Sequence, residues 1–315
     1  MKMNKLVSNL LIINLNKFKK RKYNNYLINK NRGKDMNIND KKIYKEHNGK
    51  IYERKLDCEL YNDNFENAKR YNIPPAQLII ADIPYNLGNN AFASNPSWYV
   101  DGDNTKGESE KAGKLFFKTD ENFKINNFFD FCTRYLKKEP KEPNQAPAMI
   151  VFCSFEQMHM VIEEGKKHGL NKSYPLFFIK NFSAQVLKAN MKIVGAMEYA
   201  VVLYRDKLPK FRNNGKMIFN YFKWEREKTY EQIHPTQKPV KVIEKLIEIF
   251  TDEGDVVLDP CAGSGSTLIA ARNLNRKSYG FEIEKKFYND AINLINGVTK
   301  EEIKRKEKGY ISLFD

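Results

Sequence analysis

Val256-Val257-Leu258-Asp259-Pro260-Cys261-Ala262-Gly263-Ser264-Gly265-Ser266-Thr267 is the stretch that decides how this chain folds. Three apolar residues form a short buried strand, a glycine-containing bend follows, and Leu268, Ile269 and Ala271 begin a helical pattern at once. Glycines suit a bend whose backbone must turn sharply and lie against a ligand with no Cβ in the way. Seventeen residues past Gly265, Glu282 closes the next apolar run, where a carboxylate can accept hydrogen bonds from ribose hydroxyls. A dinucleotide fold would place a third glycine on the helix, and this chain has Leu268 there. A ligand with a ribose but no phosphate, such as S-adenosylmethionine, fits the pattern better, with its ammonium group beside Asp259. A purely structural strand-to-helix turn would carry the same residues.

Outward from this turn, apolar runs alternate with helical periodicity, which predicts an α/β domain with a mainly parallel sheet. The predicted strands are Leu78–Ala81, Met149–Phe152, Leu176–Ile179, Tyr199–Tyr204, Val256–Leu258 and Tyr279–Ile283. Phe155–His168 reads as a helix. Val240, Ile243, Leu246, Ile247 and Phe250 recur at helical steps behind Pro239. The segment 86–122, rich in Asn, Gly and Ser, is too long for an ordinary connection, and such loops are often functional.

The first strong strand ends in Asp82-Ile83-Pro84-Tyr85, a carboxylate, a stiffened backbone and an aromatic ring at a strand's carboxyl end. That set suits chemistry on the exocyclic amine of a flat base. The amine is a poor nucleophile because its lone pair is delocalised into the ring. Asp82 and a neighbouring carbonyl could accept its two hydrogens and free the lone pair, while Tyr85 stacks on the base. A strand ending in a polar turn would use the same residue types.

The chain of 315 residues carries 54 Lys+Arg against 39 Asp+Glu, a formal charge of +15. Such a surplus points to a polyanion, although a lysine-rich proteome produces it too. Its apolar content is enough for a core and excludes a wholly disordered chain. Leu6–Leu15 is interrupted by polar residues and is too short for a membrane span. No small-residue cleavage site follows it, so a cytoplasmic protein is expected. Four dispersed cysteines form no disulfide framework, and no His, Cys and carboxylate cluster has metal-ligand spacing.

Together these segments resemble the beta group of DNA amino-methyltransferases, which act on adenine N6 or cytosine N4. Asp82-Ile83-Pro84-Tyr85 is similar to the family's Asp-Pro-Pro-Tyr motif, and Asp259-Pro260-Cys261-Ala262-Gly263-Ser264-Gly265 to its cofactor loop. His234-Pro235-Thr236-Gln237-Lys238-Pro239 resembles the His-Pro-Thr-x-Lys-Pro segment before that loop, and the order of the three matches. The resemblance implies a Rossmann-like methyltransferase fold, circularly permuted in motif order, using S-adenosylmethionine. It implies catalytic roles for Asp82, Pro84 and Tyr85. Cofactor contacts fall to Asp57, Thr236, Lys238, Asp259, Ala262, Gly263, Ser264, Gly265 and Glu282. It also implies a small target-recognition insert at 205–233 whose Lys207, Lys210, Arg212, Lys216, Lys223, Trp224 and Arg226 contact nucleic acid.

The chain then divides into a basic extension at 1–50, a catalytic half at 51–204, the insert, a cofactor half at 234–300 and a tail at 301–315. Double-stranded DNA is the implied partner, with a cognate restriction endonuclease as a further one, for a monomer or homodimer. Asp at the first catalytic position favours adenine over cytosine. RNA methylation, and a DNA-binding homologue impaired by Ile83 in place of proline, are the rival readings. Pro260-Cys261 resembles the Pro-Cys of carbon-5 cytosine methyltransferases, but inside the cofactor loop its expected role is packing.

Overall fold

The computed structural model describes residues 42–47, 50–55, 58–84, 123–180, 185–188, 193–227, 229–234 and 236–297, all within the compact unit Ile38–Gly297. Twelve strands are present among them. β1 (Lys42–His47) and β2 (Lys50–Lys55) form an antiparallel pair. β7 (Gln185–Lys188) and β8 (Ile193–Gly195) form another.

The other eight strands are β3 (Cys58–Tyr61), β4 (Leu78–Asp82), β5 (Ala148–Cys153), β6 (Lys172–Lys180), β9 (Met197–Tyr204), β10 (Tyr221–Trp224), β11 (Val256–Asp259) and β12 (Lys277–Phe281). They form one sheet in the order β10-β6-β9-β5-β4-β11-β12-β3. All pairings are parallel except the two made by β9.

Five α-helices are described: α1 (Ile125–Tyr135), α2 (Met158–Lys167), α3 (Val240–Phe250), α4 (Ser266–Asn273) and α5 (Lys285–Asn296). Successive residues of β4 point into different cores. Leu78 and Ile80 pack in the cluster containing α3 and α4 residues, whereas Ile79 and Ala81 join the cluster containing Phe128, Phe129 and Val161 of α1 and α2. Burial on both faces explains why the central strands read as unbroken apolar runs.

The sequence reading located the six main strands, with ends differing by a few residues. No expectation was made for β1, β2, β3, β7, β8, β10, α1 or α5. β10 pairs in parallel with β6 and completes the sheet, so the segment expected to be an appended insert is in part a strand of the main fold.

Leu268, where a dinucleotide fold would have glycine, is fully buried. The room for it comes from the facing strand. A Cβ on Gly280 of β12 would stand 2.8 Å from Leu268 Cδ1, 3.2 Å from Ala262 Cβ and 3.2 Å from the Asp259 carbonyl oxygen. Glycine on the strand thus permits the close helix approach. Gly280→Ala should destabilise the fold by about 1–3 kcal/mol. In urea unfolding, adding Leu268→Ala should cost less than the two single effects summed, and strict additivity would show that the two do not compete for space.

Candidate active site

β4 and β11 are hydrogen-bonded neighbours in the sheet, with Val257 opposite Leu78 and Leu258 opposite Ile79. β12 and β3 lie to one side of this pair and β5 to the other. The order therefore diverges between β4 and β11, and a crevice at the carboxyl ends of such strands is where open α/β sheets bind ligands. Asp82 ends β4 and Asp259 ends β11.

The bend after β11 is built by local hydrogen bonds. Cys261 N–H donates to Asp259 Oδ1 at 3.0 Å, Ala262 N–H to the Phe281 carbonyl at 2.8 Å, and Gly265 N–H to the Ala262 carbonyl at 2.8 Å. Gly263 and Gly265 have φ of 51° and 74°, the left-handed region that favours glycine. The ring of His234 covers Gly263, with its Nε2 3.6 Å from where a Cβ would lie, and packs edge-on against Phe287 at 4.4 Å. Thr236 hydrogen-bonds His234 Nδ1 through both N–H and hydroxyl. Burial, with the Lys238 charge, holds His234 down at about 4, so it is neutral at physiological pH.

Two carboxylates line the bend. Glu282 Oε2 accepts Gly263 N–H at 2.9 Å and Oε1 accepts Glu284 N–H at 2.7 Å. Asp259 is buried and also hydrogen-bonded by the Thr267 side chain. Burial pushes both up to about 7, and repulsion from Asp82 adds to the shift of Asp259.

On the catalytic side, Ile83 N–H donates to the Phe152 carbonyl at 3.2 Å and its side chain is buried. A proline could not make that bond. Gln157 clamps the next residue: its Nε2 donates to the Pro84 carbonyl at 2.8 Å while its Oε1 accepts Ser154 N–H at 3.0 Å. Lys238, expected among the cofactor contacts, has Nζ 2.6 Å from Asp82 Oδ2.

The structure thus gathers Asp82, Pro84, His234, Thr236, Lys238, Asp259, Ala262, Gly263, Ser264, Gly265 and Glu282 around one edge of the sheet. Tyr85, Asp57, Pro235 and the loop 86–122 lie outside the described residues. Gln157 and Phe152 escaped the sequence reading. A glutamine four residues past a strand carries no signal of which carbonyl it will reach.

The cations of 205–233 do not act together. Lys210 is buried, with Nζ 2.7 Å from Asp255 and 2.9 Å from Asp252, and Arg212 grips Asp252 with two bonds of 2.7 and 2.6 Å. Asp255 immediately precedes β11, so this network lies at the amino end of the sheet, opposite Asp82. Lys207 donates to the Pro140 carbonyl in the same region, and Lys216 is exposed in the turn that leads into β10. Trp224 is buried against Phe178. Lys210 and Trp224 are buried in the fold, and the exposed Arg212 is paired with Asp252. Lys223 and Arg226 are exposed near the carboxyl edge. Burial and the adjacent carboxylates raise the Cys261 thiol, which disfavours a nucleophilic thiolate.

Residues 76–293 match the family model described as DNA methylase, of the N6/N4 type. The chain belongs to the N6/N4 DNA methyltransferase family. Type II methyltransferase M2.DpnII of Streptococcus pneumoniae is 27% identical over 244 residues, 72% of this chain and 85% of that protein. M.BglII of Bacillus subtilis is 44% identical over 71 residues, 22% of this chain, and the match spans only 20% of that protein.

The M1.HpyAVI–SAM complex shares the fold, with a TM-score of 0.54 at 21% identity, covering 76% of this chain and 98% of that one. The cytosine-N4-specific PvuII methyltransferase also scores 0.54, at 15% identity, covering 79% and 89%. The family uses S-adenosylmethionine. The glycine bend and the two carboxylates at the strand ends fit a ligand with ribose hydroxyls and cationic centres. Among the described residues no group of three His, Cys, Asp or Glu is placed to hold a metal, and no helix is long and apolar enough to cross a membrane.

Two carboxylates titrating near 7 make the site pH-sensitive. Between about pH 4 and 7 the folded protein holds protons that an unfolded chain has released, so the ligand-free fold loses stability as pH rises through that window. A cationic ligand favours the ionised form. S-adenosylmethionine affinity should therefore rise several-fold from pH 6 to pH 8, with proton release seen by calorimetry in buffers of differing ionisation heat. A flat profile would mean these carboxylates do not face the ligand.

Proposed function

We propose that this protein transfers a methyl group from S-adenosylmethionine to the N6 atom of adenine in double-stranded DNA, acting in the cytoplasm. The observation that carries the reading is the Asp82 carboxylate, fixed at the end of β4 beside the glycine bend after β11. S-adenosylmethionine supplies an electrophilic methyl group on a sulfonium centre. Gly263, Ser264 and Gly265 allow close approach of backbone to that cofactor, Glu282 meets its ribose and Asp259 its ammonium group. Asp57, Thr236 and Ala262 complete the cofactor surface.

Asp82 and the Ile83 carbonyl accept the two hydrogens of the adenine amine and bias its nitrogen toward a tetrahedral shape. Tyr85 stacks on the base, which must leave the helix at a cost of a few kcal/mol. Holding nitrogen and methyl in line is a large part of the rate enhancement. Ile83 is compatible with this role because its N–H bond to Phe152 and the Gln157 clamp on Pro84 stiffen the backbone from outside.

Among the residues expected to contact nucleic acid, the exposed Lys207, Lys216, Lys223 and Arg226 are the candidates for DNA contact. A choice of adenine rests on Asp82 as the first catalytic residue, and a type II context would add a cognate restriction endonuclease.

Labelled methyl transfer to unmethylated DNA should fall at least about a hundredfold in Asp82→Ala, with folding checked by circular dichroism. A digest should yield N6-methyladenine; N4-methylcytosine would overturn the choice of base, and transfer confined to RNA the choice of polymer. Ile83→Pro should give no gain in rate, because it removes the bond to Phe152. A faster Ile83→Pro enzyme would identify Ile83 as a lesion. DNA affinity should drop steeply between about 50 and 200 mM salt, as phosphate contacts require.

A further inference from the structure

We propose that Lys238 is a positioning residue for the transfer step: gripped between Phe152 and Trp224, its ammonium holds Asp82 as an oriented, ionised carboxylate. The inference rests on the reading of Asp82 as the group that meets the amine.

Three strands converge on this one ammonium. Asp82 ends β4, and Phe152 lies opposite it on β5. Trp224 is the last residue of β10, at the far edge of the sheet. Lys238 Nζ is 2.6 Å from Asp82 Oδ2, 5.3 Å from the Phe152 ring centre and 5.7 Å from that of Trp224. Both ring distances are within cation–π range. Trp224 is itself wedged edge-on against Phe178.

The lysine backbone is also fixed. Pro239 caps α3, and the first helical N–H, that of Val240, donates to Glu227 Oε2 at 3.0 Å. A buried lysine with so little freedom can act as a fixed charge, and a carboxylate tied at one oxygen cannot swing.

The chemistry of the transfer gives this charge a use. The amine lone pair forms the N–C bond while the C–S bond pair returns to sulfur, so the nitrogen becomes cationic before one of its protons leaves to solvent. An ionised Asp82 hydrogen-bonded to that nitrogen stabilises the developing charge, whereas a protonated one would not. Asp82 and Asp259 repel each other across the paired strand ends, and the Lys238 charge beside Asp82 offsets that repulsion. His234, the other titratable group of the same segment, is neutral and adds no cation. The Trp224 and Phe152 rings hold the ammonium beside Asp82.

A cofactor-contact role for Lys238 makes different predictions, and Lys238→Met separates the two. At saturating cofactor and DNA, the single-turnover rate at pH 7 should fall about tenfold or more, and the acidic limb of its pH profile should move up by about one pH unit or more. The dissociation constant for S-adenosylmethionine should stay within about threefold when measured above that limb. Lys238→Arg, which restores a cation, should return the limb toward the wild-type position. Weakened cofactor binding with an unchanged saturated rate, or a limb that does not move, would overturn the proposal.

A readout that needs no turnover protects the test. Carboxyl carbon NMR, with Asp82→Asn to assign the signal, should show the Asp82 midpoint rising in Lys238→Met, and an unchanged midpoint would overturn the pairing. If the wild-type protein methylates no DNA, the functional reading fails while this titration still decides what Lys238 does to Asp82.

Discussion

The pairing of β4 with β11 is the constraint on which the rest depends. Two residue pairs, Val257 with Leu78 and Leu258 with Ile79, join segments 179 positions apart in the chain. Because the strands are parallel, both chains leave the sheet at the same edge. Each leaves on an aspartate, and Glu282 follows from the next strand. Carboxylates crowded at the buried end of a sheet are costly, and the raised Asp259 and Glu282 record that cost. The fold offsets it in two ways: Lys238 pairs with Asp82, and backbone N–H groups of the bend and of Glu284 point at Glu282. A cationic cofactor is the natural third partner.

Ile83 and Cys261 depart from the family pattern and Leu268 from that of a dinucleotide fold, and each has a local answer in the structure. Ile83 loses a ring and gains an N–H bond to Phe152. Leu268 needs space on the helix, which Gly280 supplies from β12. Burial and the neighbouring carboxylates raise the Cys261 thiol, which suits packing in the loop better than nucleophilic attack. Rigidity and close approach are requirements of geometry, and more than one residue can meet them.

Much of this was legible in the sequence where both faces of a strand are buried. Leu78–Asp82, Ala148–Cys153 and Val256–Asp259 appear as unbroken apolar runs, and the glycine bend ends the last of them. The edges were not. Tyr221–Trp224 is four residues long and half exposed, so its cations and aromatics read as a binding surface rather than as the rim of a sheet. Lys210 illustrates the limit of composition: its partner Asp255 is 45 residues away, and only the fold brings that carboxylate within 2.7 Å. Lys238 shows the same limit from the other side. Its motif suggested the cofactor, and nothing in that motif signals the bond its ammonium makes to Asp82, 156 residues distant.

A crystal structure of the protein with S-adenosylhomocysteine tests the central claim most directly. The account predicts the ligand in the crevice after β4 and β11, its ribose at Glu282 and its sulfur turned toward Asp82. Ligand bound elsewhere, or seated with its sulfur turned away from Asp82, would contradict it.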